Sequence, residues 1–343
     1  MTALLESAWR FAATLGGRAA LNAVYGCEPL ILMYHRFSAE PAPRRVSVAA
    51  FERQMSYLAR HANVVTMQEL TAGLRSGISW QPDTVSITID DGYADLHDLA
   101  FPVLRKYGLP AMAFITSDFA RGALWHWPDQ LHHILMNCAA PALRVETGSG
   151  ALELALSTAA QRLASWNLLA DYCHELHEAA REEEIAAVSR LARVPVPARA
   201  PPEYRGVDFH QLRSMIAGGL SVGGHSVTHA RLPTLTDPEL SMEIEGCKKT
   251  LEQQLQVAVS SFAYPFGAPG DHDERIHGAV LRAGFDNASV SYFDAHLYDD
   301  IYALRRFGVS GDFWDFIKVV GGLKRARAKQ REHARRPNSR VRT

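Results

Sequence analysis

The chain has 343 residues, of which 47% are hydrophobic and 21% are charged, and its 36 basic residues nearly balance its 37 acidic ones. This composition excludes an intrinsically disordered protein, because the apolar fraction is high and the net charge of -1 is small. No apolar run reaches the roughly 18 residues of a membrane-spanning helix, and the near-zero net charge argues against a general nucleic-acid binder. The length suits one large domain or two ordinary ones.

In chain order, the first predicted elements alternate between strand and helix. They are a buried strand in PLILMYHRF (29–37), a helix capped by Ser47, a short strand at Val64 and Val65, a helix at Met67–Arg75, a strand at Thr84–Ile89, a helix at Leu96–Tyr107 and a strand at Ala111–Ile115. Residues 121–205 break this rhythm, and because they are rich in Ala, Leu and Glu we predict a mainly helical insertion.

After the insertion the alternation resumes. The predicted helices are 208–217, 237–255, 272–283 and 312–322, and the predicted strands are 220–223, 259–264, 285–290 and 301–307. Strands and helices that alternate with short loops are typical of a parallel α/β sheet or barrel. We therefore predict one α/β domain over residues 29–323, which carries the insertion.

The two ends of the chain differ from this domain. Residues 1–28 have the apolar spacing of an amphipathic helix, and charges such as Glu6 and Arg10 interrupt the apolar stretch that a secretory signal needs, so we expect a cytoplasmic protein. Residues 324–343 contain nine basic residues and one acidic residue, a net charge of +8, which leaves -9 for residues 1–323. We predict a basic, disordered tail, and both ends also suit peripheral contact with an anionic membrane surface.

Two adjacent carboxylates, Asp90 and Asp91, end the strand at Thr84–Ile89 and precede Gly92. Successive side chains of a strand point to opposite sides, but a turn at Gly92 lets the two carboxylates diverge around one cleft. There, one carboxylate can bind a metal while the other receives a proton. The alternative is a helix N-cap or a turn, where Asp is common.

Two histidines, His225 and His229, follow the predicted strand 220–223. A spacing of i and i+4 places both on one face of a helical turn, where they can bind one cation. In a chain with fifteen histidines, such a pair can also be a coincidence. Two His and one Asp would complete the three-ligand open site of a hydrolytic metal.

Two further motifs end predicted strands. In the first, Phe262–Gly267, a Pro and a Gly fix a turn, which either exposes a backbone N–H to the cleft or serves only aromatic packing. The second contains His35, which is either catalytic or structural. All four motifs lie at the carboxyl ends of strands, the edge where parallel α/β barrels place their active sites.

In this order, ITIDDGY, GGHSVTH and AYPFG resemble the three leading motifs of the NodB-homology polysaccharide deacetylases. The resemblance covers about residues 30–120 and 205–320, and it implies a distorted, incomplete (β/α) barrel of the NodB type with a helical insertion. It also implies that Asp91, His225 and His229 hold a divalent metal, usually zinc. By the same resemblance, Asp90 is the general base that deprotonates the attacking water, and the backbone N–H of Phe266 stabilises the oxyanion.

Two positions depart from the family's pattern. Ala263 stands where the third motif usually begins with Arg, and the late Leu-x-His of the general acid is absent, because the matching segment reads ALRRFGV. The chain also resembles the branch of biofilm-polymer poly-N-acetylglucosamine deacetylases, in which an early M-Y-H motif supplies the acid and a late L-x-R supplies the partner of the base. That resemblance implies His35 as the general acid and Arg306 as the partner of Asp90, with Arg305 as the alternative.

The function that the resemblance implies is metal-dependent removal of N-acetyl or O-acyl groups from an amino sugar, an oligosaccharide or a lipid-linked glycan. Such an enzyme hydrolyses carbon–nitrogen bonds other than peptide bonds. Two alternatives stay open, a non-sugar amidohydrolase and a catalytically inactive sugar-binding protein of a polysaccharide pathway. No nucleic-acid partner is expected, and a cytoplasmic enzyme would act on a precursor such as a lipid-linked sugar.

Overall fold

The computed structural model describes residues 27–148 and 150–335, so nearly all of the predicted N-terminal helix lies outside the described residues. The chain divides into two compact units. We call the first, residues 1–120 and 207–343, the barrel unit, and the second, residues 121–206, the inserted unit. Within the described ranges, no helix combines the length and the apolar character that crossing a membrane requires.

Twelve strands are present in the described residues. In chain order they are β1 (Leu30–Tyr34), β2 (Phe37–Ser38), β3 (Val46–Ser47), β4 (Asn63–Val64), β5 (Thr84–Ile89), β6 (Ala111–Ile115), β7 (Ala142–Thr147), β8 (Gly150–Ala155), β9 (Leu220–Gly224), β10 (Ser261–Ala263), β11 (Asn287–Ser289) and β12 (Phe307–Gly308). Eight of them form one sheet in the order β11-β10-β9-β6-β5-β1-β12, with β4 beside β5. Every pairing in this sheet is parallel.

The helices of the described residues are, in chain order, α1 (Val48–His61), α2 (Met67–Ser76), α3 (Phe101–Tyr107), α4 (Ser117–Ala120), α5 (Trp127–Asn137), α6 (Ala159–His174), α7 (Glu178–Ala192), α8 (Phe209–Ala217), α9 (Asp237–Leu255), α10 (Glu274–Arg282), α11 (Phe313–Val320) and α12 (Leu323–Arg335). A π-helical turn, Leu96–Ala100, precedes α3, and short 3-10 turns occur at Pro202–Tyr204 and Leu232–Thr234.

The barrel core forms because its strands and helices bury apolar faces against each other. β1, β5 and β6 are buried along their whole length, as expected of parallel strands that are covered on both faces. The helices bury one stripe each; in α1 the buried side chains include Phe51, Met55 and Leu58, and the side chain of Ser47 accepts a hydrogen bond from the N–H of Ala50 as the N-cap.

The sheet curls until one segment, residues 304–308, contacts both of its edges. Leu304 pairs with Ser289 at the end of β11, and Phe307 in β12 pairs with Leu32 in β1. This curled parallel sheet with outer helices confirms the predicted distorted, incomplete (β/α) barrel. The strand predicted at 301–307 is shorter than expected, because the N–H of Ala303 donates a hydrogen bond to the carbonyl of Asp300 and the chain forms a turn there.

The inserted unit is mainly helical, as predicted, but it also has two strands that the sequence did not predict. It contains an antiparallel hairpin, β7 and β8, in register from Ala142 opposite Ala155 to Thr147 opposite Gly150. The strands form because apolar and polar residues alternate, and Leu143, Val145 and Leu154 point into the small core of this unit. The long helical pattern after the hairpin is interrupted after His174, which separates α6 from α7.

The basic C-terminal segment is more ordered than predicted. Residues 323–335 form α12, and ion pairs link this helix to other parts of the barrel unit: Lys324 lies 2.8 Å from Asp315, and Lys329 lies 2.8 Å from Glu28. Ala326 is buried beside them. The expected disordered tail is therefore corrected for residues 324–335, and residues 336–343 lie outside the described part of the chain.

Candidate active site

Asp90 and Asp91 follow β5 and diverge as the sequence predicted. The N–H of Asp90 still donates to the carbonyl of Tyr34 at the end of β1, at 2.9 Å. Asp91 then has a φ of 70° and Gly92 a φ of 86°, so the chain leaves the strand in the left-handed region. A non-glycine residue in that region costs about 1–3 kcal/mol, which the surrounding structure has to offset. This turn separates the two carboxylates.

Asp90 forms a buried bidentate pair with Arg306. The two carboxylate oxygens each accept a hydrogen bond of 2.7 Å from the guanidinium, and the two side chains are 2% and 0% exposed. The Arg306 Nε–H donates to the carbonyl of Val290 at 2.8 Å, and the Thr88 hydroxyl accepts from the same guanidinium at 3.2 Å. Arg306 is thus fixed on three sides, and it holds Asp90 in one orientation.

The charge state of Asp90 follows from two opposing effects. Burial is the largest single effect and raises the pKa of this carboxyl, but the charge and hydrogen bonds of Arg306, with the charges of His35 and His225, together lower the pKa to below its usual value. Asp90 is therefore ionised at neutral pH and able to accept a proton.

Arg305, the alternative partner of Asp90, points elsewhere. Its Nε–H donates to Asp294 at 3.1 Å, and its guanidinium lies 4.8 Å from the ring centroid of Tyr292. Adjacent residues of an extended segment face opposite sides, so only one of Arg305 and Arg306 can reach the interior of the barrel. The structure places Arg306 there.

Asp91, His225 and His229 form the candidate metal centre. The His225 and His229 Nε2 atoms lie 3.3 and 3.5 Å from Asp91 Oδ1, and one potential ligand atom from each residue lies within 4.8 Å of the others. No other group of three such residues meets this criterion in the described parts of the chain. The sequence predicted this set, and the fold brings it together at the carboxyl ends of β5 and β9.

The chemistry of these donors fits a divalent cation. The Nδ1–H of His225 donates to the carbonyl of Ala263 at 2.8 Å, which leaves the lone pair of Nε2 directed towards the centre. Burial is the largest single effect and raises the pKa of Asp91, but the hydrogen bonds of His225 and His229, together with the charges of His35 and His229, lower the pKa to well below its usual value. Burial lowers the pKa of His229 and favours the neutral ring that a metal ligand needs.

Phe266 occupies a rigid turn beside this centre. Phe266 and Gly267 both have left-handed φ values, of 60° and 64°. A Cβ on Gly267 would lie 2.8 Å from the backbone nitrogen of Ser291, so the turn requires glycine there. The Phe266 ring packs edge-on against His229, with ring centroids 4.7 Å apart. The residue predicted to supply the oxyanion donor therefore packs against a candidate metal ligand.

His35 lies at the exposed side of the site. Its side chain is 44% exposed, and its Nε2 lies 3.9 Å from Asp90 Oδ2. The next residue, Arg36, donates to Asp95 at 2.8 Å and stacks 3.7 Å from the ring centroid of Tyr93, which links the end of β1 to the loop after β5. His35 is thus positioned to meet a ligand that enters from solvent.

Sequence reasoning missed several residues that support the site. Asp271 is 2% exposed, accepts from the N–H of Ala268 at 2.9 Å, and receives a hydrogen bond of 3.2 Å from Arg231, so it joins the loops after β9 and β10. Glu243 in α9 accepts hydrogen bonds from the His225–His229 loop. These partners are backbone groups or residues far apart in the chain, and their sequence spacing carries no signal.

The buried Asp90–Arg306 pair generates a testable prediction about stability. We expect Arg306→Met to lower the free energy of unfolding by about 3–5 kcal/mol, because Asp90 is left ionised and unpaired in the interior. Urea unfolding measures the change. The double variant Asp90→Asn/Arg306→Met should recover part of the loss.

Arg305→Met is the matched control, since its pair with a partly exposed Asp294 is expected to contribute less than about 1 kcal/mol. Equal losses for the two arginine variants would contradict the assignment of Arg306 as the partner that neutralises Asp90.

Comparisons with known proteins agree with this geometry. A family model described as polysaccharide deacetylase matches residues 79–138 and 202–288, which include Asp90, Asp91 and both histidines of the metal centre. The Bacillus subtilis protein YxkH, whose name assigns it to the same family, is 39% identical over 88 residues. That match covers 25% of this chain and only 30% of YxkH, less than a third of the relative's length.

Solved structures show the same fold. The Streptococcus pyogenes deacetylase PplD, in complex with acetate, superposes with a TM-score of 0.55 at 15% identity, over 83% of this chain and 93% of PplD. IcaB from Ammonifex degensii superposes with a TM-score of 0.56 at 18% identity, over 86% of this chain and 97% of IcaB. In sequence over residues 79–138 and 202–288, and in fold over most of its length, the chain is therefore similar to the polysaccharide deacetylases.

Proposed function

We propose that this protein is a metal-dependent deacetylase that hydrolyses the acetamide of an N-acetylated amino sugar, either in a glycan or in a lipid-linked saccharide. The observation that carries the proposal is the position of the ionised Asp90–Arg306 pair directly beside the three candidate ligands Asp91, His225 and His229. A base and a Lewis-acid site at the same edge of the sheet are the two components that amide hydrolysis needs.

The donor set of two imidazoles and one carboxylate is that of a hydrolytic zinc site. A bound divalent cation would polarise the acetamide carbonyl and favour the attack of water. Ala263, where the family's third motif usually has Arg, contributes only its carbonyl to His225, and Arg306 supplies the guanidinium to Asp90 instead.

The chain's own residues supply the proton transfers. Asp90 accepts the proton of the attacking water at a carboxylate oxygen, and Arg306 keeps that carboxylate ionised and oriented. The backbone N–H of Phe266 donates to the oxygen on which negative charge develops. His35, on the exposed side, donates a proton to the nitrogen of the leaving amine.

Zinc content and acetate release test the proposal together. We expect the purified protein to contain zinc and to release acetate from N-acetylglucosamine oligomers. Asp90→Asn should lower kcat by about 10²–10⁴-fold, because the variant cannot accept the proton. Asp286→Asn, at an exposed carboxylate, should leave kcat unchanged.

Zinc without turnover of any acetylated sugar would favour a sugar-binding protein. Turnover of simple amides but not of acetylated sugars would favour a non-sugar amidohydrolase.

A comparison of two leaving groups tests the role of His35. We expect His35→Gln to lower the rate of acetate release from the acetamide substrate by about 10²–10⁴-fold. The same variant should retain most of its activity on an activated aryl acetate, because a phenolate leaves without being protonated. Parallel losses on both substrates would show that His35 does not act as the general acid.

The place of reaction is a separate proposal, in which a cytoplasmic enzyme meets a lipid-linked sugar at the membrane surface. Because Lys324 and Lys329 already pair with Asp315 and Glu28, this contact would rest on basic residues further along the chain. Replacement of Arg336, Arg340 and Arg342 by Ser should weaken co-sedimentation with phosphatidylglycerol vesicles. Unchanged sedimentation would exclude these residues from membrane contact.

A further inference from the structure

The loop that joins the two candidate histidine ligands is strained. The N–H of His225 still bonds to the carbonyl of Ile115, but Ser226 and His229 both have left-handed φ values of 62°. The Ser226 hydroxyl accepts from the N–H of His229 at 2.9 Å, which is a bond within the loop itself. Non-glycine residues keep such conformations only where surrounding groups determine them.

Glu243 supplies acceptors to the middle of this loop from helix α9. Its Oε2 accepts from the N–H groups of Val227 and Thr228, both at 2.9 Å, and its Oε1 accepts from the Thr228 hydroxyl at 2.8 Å. One side chain therefore holds two consecutive peptide N–H groups and a hydroxyl.

The carbonyl groups of the same loop are held from the opposite side. The N–H of Ser117 donates to the carbonyl of Ser226 at 3.1 Å, and the N–H of Asp118 donates to the carbonyl of Val227 at 3.0 Å. Both donors belong to α4, directly after β6. The segment between His225 and His229 is thus clamped between α4 and the Glu243 carboxylate.

Helix α9 is itself a rigid support. Ile244 and Cys247 on its inner face are fully buried, and the Cys247 thiol donates to the carbonyl of Ile115 at 3.6 Å. A Cβ on Gly246 would lie 3.3 Å from Val227 Cγ2, so the loop rests closely on the helix there. Glu243 and Gly246 are at i and i+3, on one face of the helix.

We propose that Glu243 is a positioning residue of the metal centre, which sets the spacing of His225 and His229 through the loop between them. The inference rests on the proposed metal-dependent function, and it adds a residue that bonds to the backbone and the Thr228 hydroxyl of the loop between the ligands. Glu243 acts as an acceptor of hydrogen bonds, and its charge is secondary. Gln can keep the two bonds to the backbone, with its amide nitrogen donating to the Thr228 hydroxyl, whereas Ala loses all three.

The zinc affinity of the 343-residue protein tests this role; the protein is stripped of metal and then titrated with zinc in competition with a chromophoric chelator. We expect Glu243→Ala to raise the zinc Kd by about 10–100-fold, the range typical of groups that orient metal ligands. Glu243→Gln should stay within about threefold of the wild type. Glu245→Ala, at an exposed glutamate of the same helix, is the matched control and should leave the Kd unchanged.

The unfolding temperature of the metal-free variants separates positioning from folding, because a merely structural role would lower it without changing the zinc Kd of the folded protein. An unchanged Kd for Glu243→Ala would overturn the inference. If Glu243→Ala does not fold, Glu243→Asp decides, because its shorter side chain withdraws the acceptors and should raise the Kd about tenfold. A wild-type Kd for that variant would also overturn it.

The inference and the proposed function fail in different ways. A wild-type protein that binds zinc but releases no acetate from any acetylated sugar would contradict the proposed function. The zinc Kd values of the Glu243 variants and the wild type could still be compared. A Glu243→Ala enzyme with wild-type zinc affinity would contradict the inference even if the wild type deacetylates sugars.

Discussion

The structure of the site depends on one ion pair, the buried contact between Asp90 and Arg306. An ionised carboxylate in the interior is strongly unfavourable unless a cation and hydrogen bonds compensate it. Arg306 lies within the segment 304–308, which contacts β11 at one edge of the sheet and β1 at the other. Closure of the barrel and compensation of Asp90 are therefore accomplished by the same five residues.

Backbone strain is concentrated around this pair. Four non-glycine residues of the site, Asp91, Ser226, His229 and Phe266, have left-handed φ values. Asp91 and Ser226 adopt these conformations shortly after β5 and β9, and the side chains of Asp91 and His229 meet that of His225 at the candidate metal centre. Hydrogen bonds from α4, from Glu243 and within the loops hold these conformations. Strain of this kind is typical of functional sites, where precise orientation outweighs its cost.

Sequence patterns predicted the barrel well where burial is complete. Runs such as TVSITI and AMAFI are buried on both faces, so continuous apolar character identifies them as parallel strands. In the inserted unit the predicted helices are present, but the prediction missed the hairpin that alternating residues in ALRVET and GALELA form with one buried face. The prediction was wrong for residues 324–335, where basic composition indicated a tail but ion pairs with Asp315 and Glu28 hold a helix.

The sequence by itself determined which side chains lie at the strand ends, because Asp90, Asp91, His225 and Phe266 directly follow short apolar runs, and parallel strands bring their carboxyl ends to one edge. Tertiary structure alone decided between Arg305 and Arg306, since neighbours in an extended segment face opposite sides and only barrel closure shows which side is interior. It alone revealed Glu243, whose partners are mostly backbone N–H groups that every residue except proline carries.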